Sequence, residues 1–316
     1  MNAQRHQSRS SELVGLAKVP ARPSRVQLAP HGYLWIFPAF ALCVGVIYYC
    51  VGYSVYISTL SWDGLSSYQQ DVGLENYQKL FADPLFWSSL WHTVVFFVVV
   101  FTLQTLLGIV FAAILHSKVK LAVIYKVLIF LPVVIAPAIM APVHRNVLSK
   151  DGALNSILSS LGLGDFTRSW LADTSTSLWA IIGVQIWSSA GVAFILFFAA
   201  MSQVDLETLE AARIDGAGNV RTLLYIVMPE VKGTVIALAV LNAMAALRLF
   251  DFPYLLTRGG PVYSSEFPGV FIYREYAAAH AGYSSAASVV LLVIALGASV
   301  LMTMRHRRSL RAEQGR

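Results

Sequence analysis

Charge is scarce in this chain. Asp, Glu, Lys and Arg make up 13% of its 316 residues, where a soluble domain carries about 25%. That leaves too little polar surface to cover a globule in water, so lipid is the expected solvent. Cysteine is nearly absent too. Cys43 and Cys50 both fall in the first apolar run, and seven residues apart on a helix they stand roughly 10 Å from each other, too far to bridge. No G-x-x-x-x-G-K-[ST] occurs, which excludes the phosphate cradle of an ATPase. "GAGNVR" begins like a dinucleotide-binding fingerprint but ends in Arg221 and follows no strand. The seven histidines are scattered without metal-ligand spacing, and there is no nucleophile elbow. The chain is not expected to be an enzyme or to bind a cofactor or metal itself. Its formal charge of +6 does not point to nucleic acid, because the basic residues sit at the ends of apolar runs rather than along one face.

Long apolar runs are what the sequence has. About 20 apolar residues cross a bilayer as a helix, and six runs qualify: 33–60, 91–115, 121–143, 178–201, 234–252 and 286–304. Lipid offers no partner to backbone N–H and C=O groups, so each must be helical. The runs lack the alternation of a barrel strand. The first has no small-residue cleavage site behind a short core and is read as an anchor that stays in place. Pro132, Pro137 and Pro142 are expected to bend or break the third span. The fifth is interrupted by Asn242, Arg248 and Asp251. A charge at the bilayer centre costs at least about 2.5–3.5 kcal/mol, so these residues belong near a span end or toward a protein interior.

Basic residues favour cytoplasmic loops. With the N-terminus inside, 16 of the 23 Lys and Arg lie on the cytoplasmic side. The expected organisation is a cytoplasmic tail (1–32), a six-span domain (33–304, with a core from about 88) and a basic cytoplasmic tail (305–316). Loops 61–90, 144–177 and 253–285 then face outward, each too short to bury a core of its own.

The stretch 202–232 is the most polar region of the second half and falls inside. Ser202 or Asp205 can cap a helix. Ala211, Ala212 and Ala217 are small enough for a partner's backbone to approach, and Gly216 and Gly218 permit a sharp reversal. Val220, Leu223, Leu224 and Val227 then form one apolar stripe, and Pro229 closes the helix. Such a helix–turn–helix is either a plain connector between spans or a handle for another protein.

Three stretches resemble one family. "EAARIDGAG…IVMP" resembles the EAA signature of permease subunits of bacterial ABC importers, with Glu210, Ala211, Ala212, Gly216, Ile226 and Pro229 at its spacings and Met228 in place of the usual leucine. "LFDFPYLLTRGGP" (249–261) and "GLENYQKLFADPLFWSSLWHT" (73–93) resemble segments of the maltose-type carbohydrate uptake subfamily. The resemblance covers nearly all of 33–304. It implies an all-α, six-helix type I (MetI-like) permease bundle with a cytoplasmic coupling helix. Glu210, Ala211, Ala212, Asp215, Gly216 and Ala217 would be its docking tip, with Pro229 behind. It also implies four kinds of company. These are a second homologous permease, two ATP-binding cassette subunits that hold ATP and Mg, an extracytoplasmic substrate-binding (lipo)protein, and the bilayer of a bacterial cell membrane.

Polar residues within spans are candidates for a substrate pathway: Gln185 and Trp187 in the fourth span, and Asn242, Arg248, Phe250, Asp251 and Tyr254 in and after the fifth. Hydrogen-bonding groups beside aromatic faces suit a sugar, and Arg248 suits an anionic ester. Blander readings stand beside these. Arg248 and Asp251 can pair with each other, Gln185 and the serines beside it can glue helices together, and Trp187 can simply pack. A transporter that works alone is the competing functional class. It is expected to show inverted repeats or an acidic relay, and neither is evident. A structural membrane protein with no pathway is the third.

Overall fold

The computed structural model describes residues 31–116 and 119–314, with the side chains of 31–34, 303 and 305–314 left aside. The expected N-terminal tail, Lys118 and the side chains of the basic C-terminal tail therefore lie outside the described residues. The chain divides into two bodies, Met1–Gly52 and Tyr53–Arg316. Of the first, the described part is the start of one helix, α1 (His31–Ser58), which contains Pro38.

The second body is almost wholly helical. A two-residue antiparallel pair, β1 (Leu60–Ser61) with β2 (Gln70–Asp71), leads into α2 (Glu75–Ala82) and the 33-residue α3 (Pro84–His116). Next come α4 (Ala122–Val134), α5 (Pro137–Val147), α6 (Ala153–Ser160) and α7 (Ser177–Met201). After α8 (Leu206–Ile214), a short α9 (Asn219–Thr222) runs through a π turn at Leu223–Val227 into α10 (Met228–Glu230). The chain finishes with α11 (Lys232–Leu247), α12 (Asp251–Leu256), α13 (Pro268–Ala277) and α14 (Ala281–Gln314).

Among the described residues four helices are long and apolar enough to cross a membrane, and up to six spans result if each of two bent pairs counts as one. Those pairs are α4 with α5, bent by 99°, and the 219–230 segment with α11, bent by 66°. The first bend is a proline effect. Pro137 disfavours helical geometry at the residue before it; Ala136 is extended, and Pro137 opens α5 in its first turn.

The fifth run departs from expectation in the same way. It is not one helix over 234–252: α11 ends at Leu247 and α12 starts at Asp251. A continuous helix would need the N–H that Pro253 lacks to bond the carbonyl of Leu249. Breaking at Arg248–Phe250 places Pro253 in the first turn of α12, where no such bond is needed.

Two apolar clusters hold the spans from α3 to α11 together. One joins Phe96, Val100, Met140, Ile181, Val184, Ala246 and Phe252 from α3, α5, α7, α11 and α12. The other lies at the end carrying α8 and joins Ala112, Leu115, Phe194, Phe197, Met201, Val227 and Leu238. α4 lies tight on α7 because Gly191 has no side chain. A Cβ there would stand 2.7 Å from the carbonyl oxygen of Ile129. At the opposite end the loop segments do not stand alone. Leu80, Phe86, Phe271 and Ala287 form a small cluster of their own. Asn76 donates both amide hydrogens, to Ser58 O and Leu60 O, each at 2.9 Å.

Candidate functional site: a capped elbow and a mid-span cavity

The segment 202–232 is an elbow built by local chemistry. Asp205, not Ser202, is the N-cap of α8: its Oδ1 accepts from the backbone N–H of Glu207 at 3.1 Å. Ser202 instead donates back to Phe198 O at 2.7 Å. The far end closes as a Schellman motif. Gly216 adopts φ +79°, its N–H donates to Arg213 O at 3.1 Å, and the N–H of Ala217 donates to Ala212 O at 2.9 Å. An L-residue at Gly216 would carry left-handed strain.

Glu210, Ala211, Asp215 and Gly216 are exposed and Ala217 is half-buried. Ala212 is not on the outer surface of the tip. It is 7% exposed and faces its own bundle, as one residue in every three or four of a helix lying on a core must. Large apolar side chains stand out instead: Ile214 is 86% exposed, and Leu206 and Val220 are exposed as well.

The expected stripe after the turn is split. Leu223 and Val227 join the apolar cluster, while Val220 and Leu224 are exposed. The π turn at Leu223–Val227 inserts extra residue per turn and rotates the stripe off one face. Pro229 does not end the segment outright. It sits in the last turn, one residue before Glu230, and the chain bends at Val231.

About halfway along the spans a cavity of about 360 Å³ opens where the helices break. Pro132, Ile135, Pro137 and Met140 line it from the α4–α5 bend, Gln185, Ser188 and Ser189 from α7, and Arg248, Phe250 and Asp251 from the α11–α12 break. Helix breaks thus place polar groups and a charge of each sign beside apolar side chains around one space. Arg248 and Asp251 are both exposed to it. They form no ion pair with each other, and the break between α11 and α12 removes the i, i+3 helical geometry that would have joined them.

Three sequence candidates lie elsewhere. Trp187 meets the ring of His144 at 5.1 Å and lines a second groove of about 400 Å³ with Trp170 and Trp179. Asn242 donates to Leu238 O of its own helix at 3.1 Å. Tyr254 stacks on Phe250 at 5.0 Å and meets Tyr273 edge-on at 4.9 Å, so it supports the cavity wall from behind.

One polar residue was not among the candidates. Gln104, 3% exposed in the middle of α3, donates to Ser189 Oγ, and Ser189 also accepts from Gln185 at 3.3 Å. This ladder ties α3 to the polar face of α7. A glutamine within the apolar "FTLQTLLG" run is the sequence signal that could have found it.

Residues 104–311 match the family described as binding-protein-dependent transport system inner membrane component. The chain is 33% identical over 273 residues to the probable ABC transporter permease protein YurN of Bacillus subtilis, covering 85% of this chain and 93% of that one. It is 29% identical to the sn-glycerol-3-phosphate transport system permease protein UgpA of Pectobacterium atrosepticum, with 85% and 91% covered. Its fold resembles a chain in the crystal structure of a bacterial ABC transporter that imports the acidic polysaccharide alginate. There the TM-score is 0.72 at 20% identity, with 88% of this chain and 98% of that chain covered.

Proposed function

The chain belongs to the binding-protein-dependent transport inner membrane component family, and from that membership we propose that it is the membrane-spanning permease subunit of an ATP-driven importer of a sugar or related small carbohydrate, ester forms included. It is a multi-pass membrane protein of an ABC transport system. The finer reading is ours. The N- and C-termini and the 202–232 elbow face the cytoplasm of a bacterial cell. A second homologous permease completes the pathway. Two ATP-binding cassette subunits hold ATP and Mg, and an extracytoplasmic binding protein delivers the substrate.

The observation that carries this reading is the capped elbow. A short helix fixed at both ends, exposing Ile214, Glu210 and Ala211, is anchored through Leu209 and Leu223 to the cluster that also packs α3, α7 and α11. A push on it is delivered to the spans as a rigid-body displacement. The cavity at the helix breaks is then where alternate exposure of a polar solute takes place. Hydroxyls can accept from Arg248 and Gln185 and donate to Asp251, with the Phe250 ring as an apolar face. A transporter working alone is the weaker reading, because Asp251 is the single carboxylate at this cavity and an acidic relay needs a chain of them.

The test is reconstitution of the whole complex in nanodiscs. ATP hydrolysis stimulated by the loaded binding protein is expected to require this chain. Hydrolysis that proceeds equally without it, or substrate flux through this chain alone, would refute the assignment.

A further inference from the structure

Glu266 is a carboxylate in an unusual position. It lies just before α13, 1% exposed, in the 257–267 loop that leaves α12. That loop is tightly tied. Thr257 and Ser265 share a hydroxyl contact at 2.8 Å, Ser265 donates to Gly260 O at 2.6 Å, and Ser264 meets Ser177 of α7 at 2.9 Å. Yet neither oxygen of the Glu266 carboxyl is hydrogen-bonded. Arg274 Nη1 approaches it at 3.2 Å without hydrogen-bond geometry, while Arg274 Nη2 is bonded to Glu275 at 3.0 Å. Arg274 thus stands at ion-pair distance but out of line, and a buried carboxylate whose single cation is misaligned and whose oxygens accept no hydrogen bond is costly, whereas the neutral acid is far less so.

The corner that Glu266 occupies bears on the cavity wall. α12 begins with Asp251 and Phe252, which line the cavity, and Gly269 of α13 lies against the carbonyl of Leu249, where a Cβ would come to 3.0 Å. We propose that Glu266 is a proton-held positioning residue: neutral, it keeps the α12–α13 corner closed; ionised, it draws on Arg274 and releases that corner. The inference rests on the transport reading above. Burial raises the Glu266 carboxyl to about 7, with Arg274 opposing and Glu275 and Asp83 adding to the rise. The other groups that face it are His92 of α3, whose Nδ1 meets Glu266 O at 2.8 Å, and Tyr263, whose ring lies under Arg274. His280 bonds Glu275 at 2.9 Å and reaches the corner through it.

Two readouts on the reconstituted complex test this. Binding-protein-stimulated hydrolysis by the wild type is expected to rise about twofold or more from pH 6 to pH 8. Glu266→Gln should hold the wild-type pH 6 rate throughout, while His92→Gln and His280→Gln keep the step. Independently of any variant, the folded chain retains a proton that the unfolded chain, with the ordinary value of 4.5, has already released. The wild-type melting midpoint should therefore fall as pH rises from about 4.5 to about 7 and level off above. A wild type without either step, a step that survives in Glu266→Gln, or one abolished by a histidine variant alone overturns the inference. Absence of stimulated hydrolysis at every pH overturns the transport reading beneath it as well.

Discussion

Single residues in this protein matter mostly for what they leave out or leave unpaired. Gly191 leaves out a side chain so that the backbone of α4 can reach α7. Gly191→Leu should force the two apart at a cost of about 1–3 kcal/mol, read as a lower melting midpoint in detergent. An unchanged midpoint would mean that the contact is looser than described. Arg248 is left unpaired at the cavity, so removing it breaks no internal ion pair. Arg248→Ala should leave the melting midpoint nearly unchanged and weaken transport affinity about tenfold or more for a substrate bearing an anionic group. Equal affinities in variant and wild type, for neutral and phosphorylated ligands alike, would remove Arg248 from the pathway. At this scale the sequence was partly legible. Gln185, Ser188 and Ser189 share one helical face and one cavity, as spacing of three and four dictates. Trp187, two positions from Gln185, stands nearly opposite on the same helix, so the two cannot line one cavity.

Elements were legible where composition is one-sided. α7 matches its apolar run to within a residue at each end, and α3 ends one residue past its own, because lipid leaves a continuous helix no competitor; α3 starts seven residues before its run, at Pro84. The breaks were harder. Pro137 announced one, but prolines report only where a ladder bond is missing, not that α4 and α5 diverge by 99°. The other break had no such warning: Pro253 lies six residues downstream of the place where α11 stops. The π turn before Pro229 had no sequence signal that distinguishes it from an ordinary helical turn. α8 is the opposite case, since its cap, its small residues and its closing glycine all agree on one short helix. Gly216→Leu puts a branched side chain where φ is +79°, which loosens the Schellman closure and crowds the tip. Import driven by ATP should fall by an order of magnitude or more, while basal hydrolysis by the assembled complex persists. Parallel loss of both would point to misfolding rather than uncoupling.

At the scale of the whole molecule, two features face different tasks across one bundle. The elbow and its cluster occupy one end, the Glu266 corner the other, and the cavity lies where α4–α5 and α11–α12 break between them. Rigid α3 and α7, joined by the Gln104–Ser189 ladder, make a displacement at one end felt at the breaks, which are the places able to yield. The most direct test of this arrangement is a photo-crosslinker placed at Ile214, the most exposed large apolar residue of the elbow, in intact cells that express the full transporter. The expected product joins this chain to an ATP-hydrolysing subunit, and a cysteine at the same position resists membrane-impermeant reagents added from outside. Labelling of that cysteine from outside, or crosslinks that never capture an ATPase, would contradict the assignment of the elbow as the point where the motor takes hold.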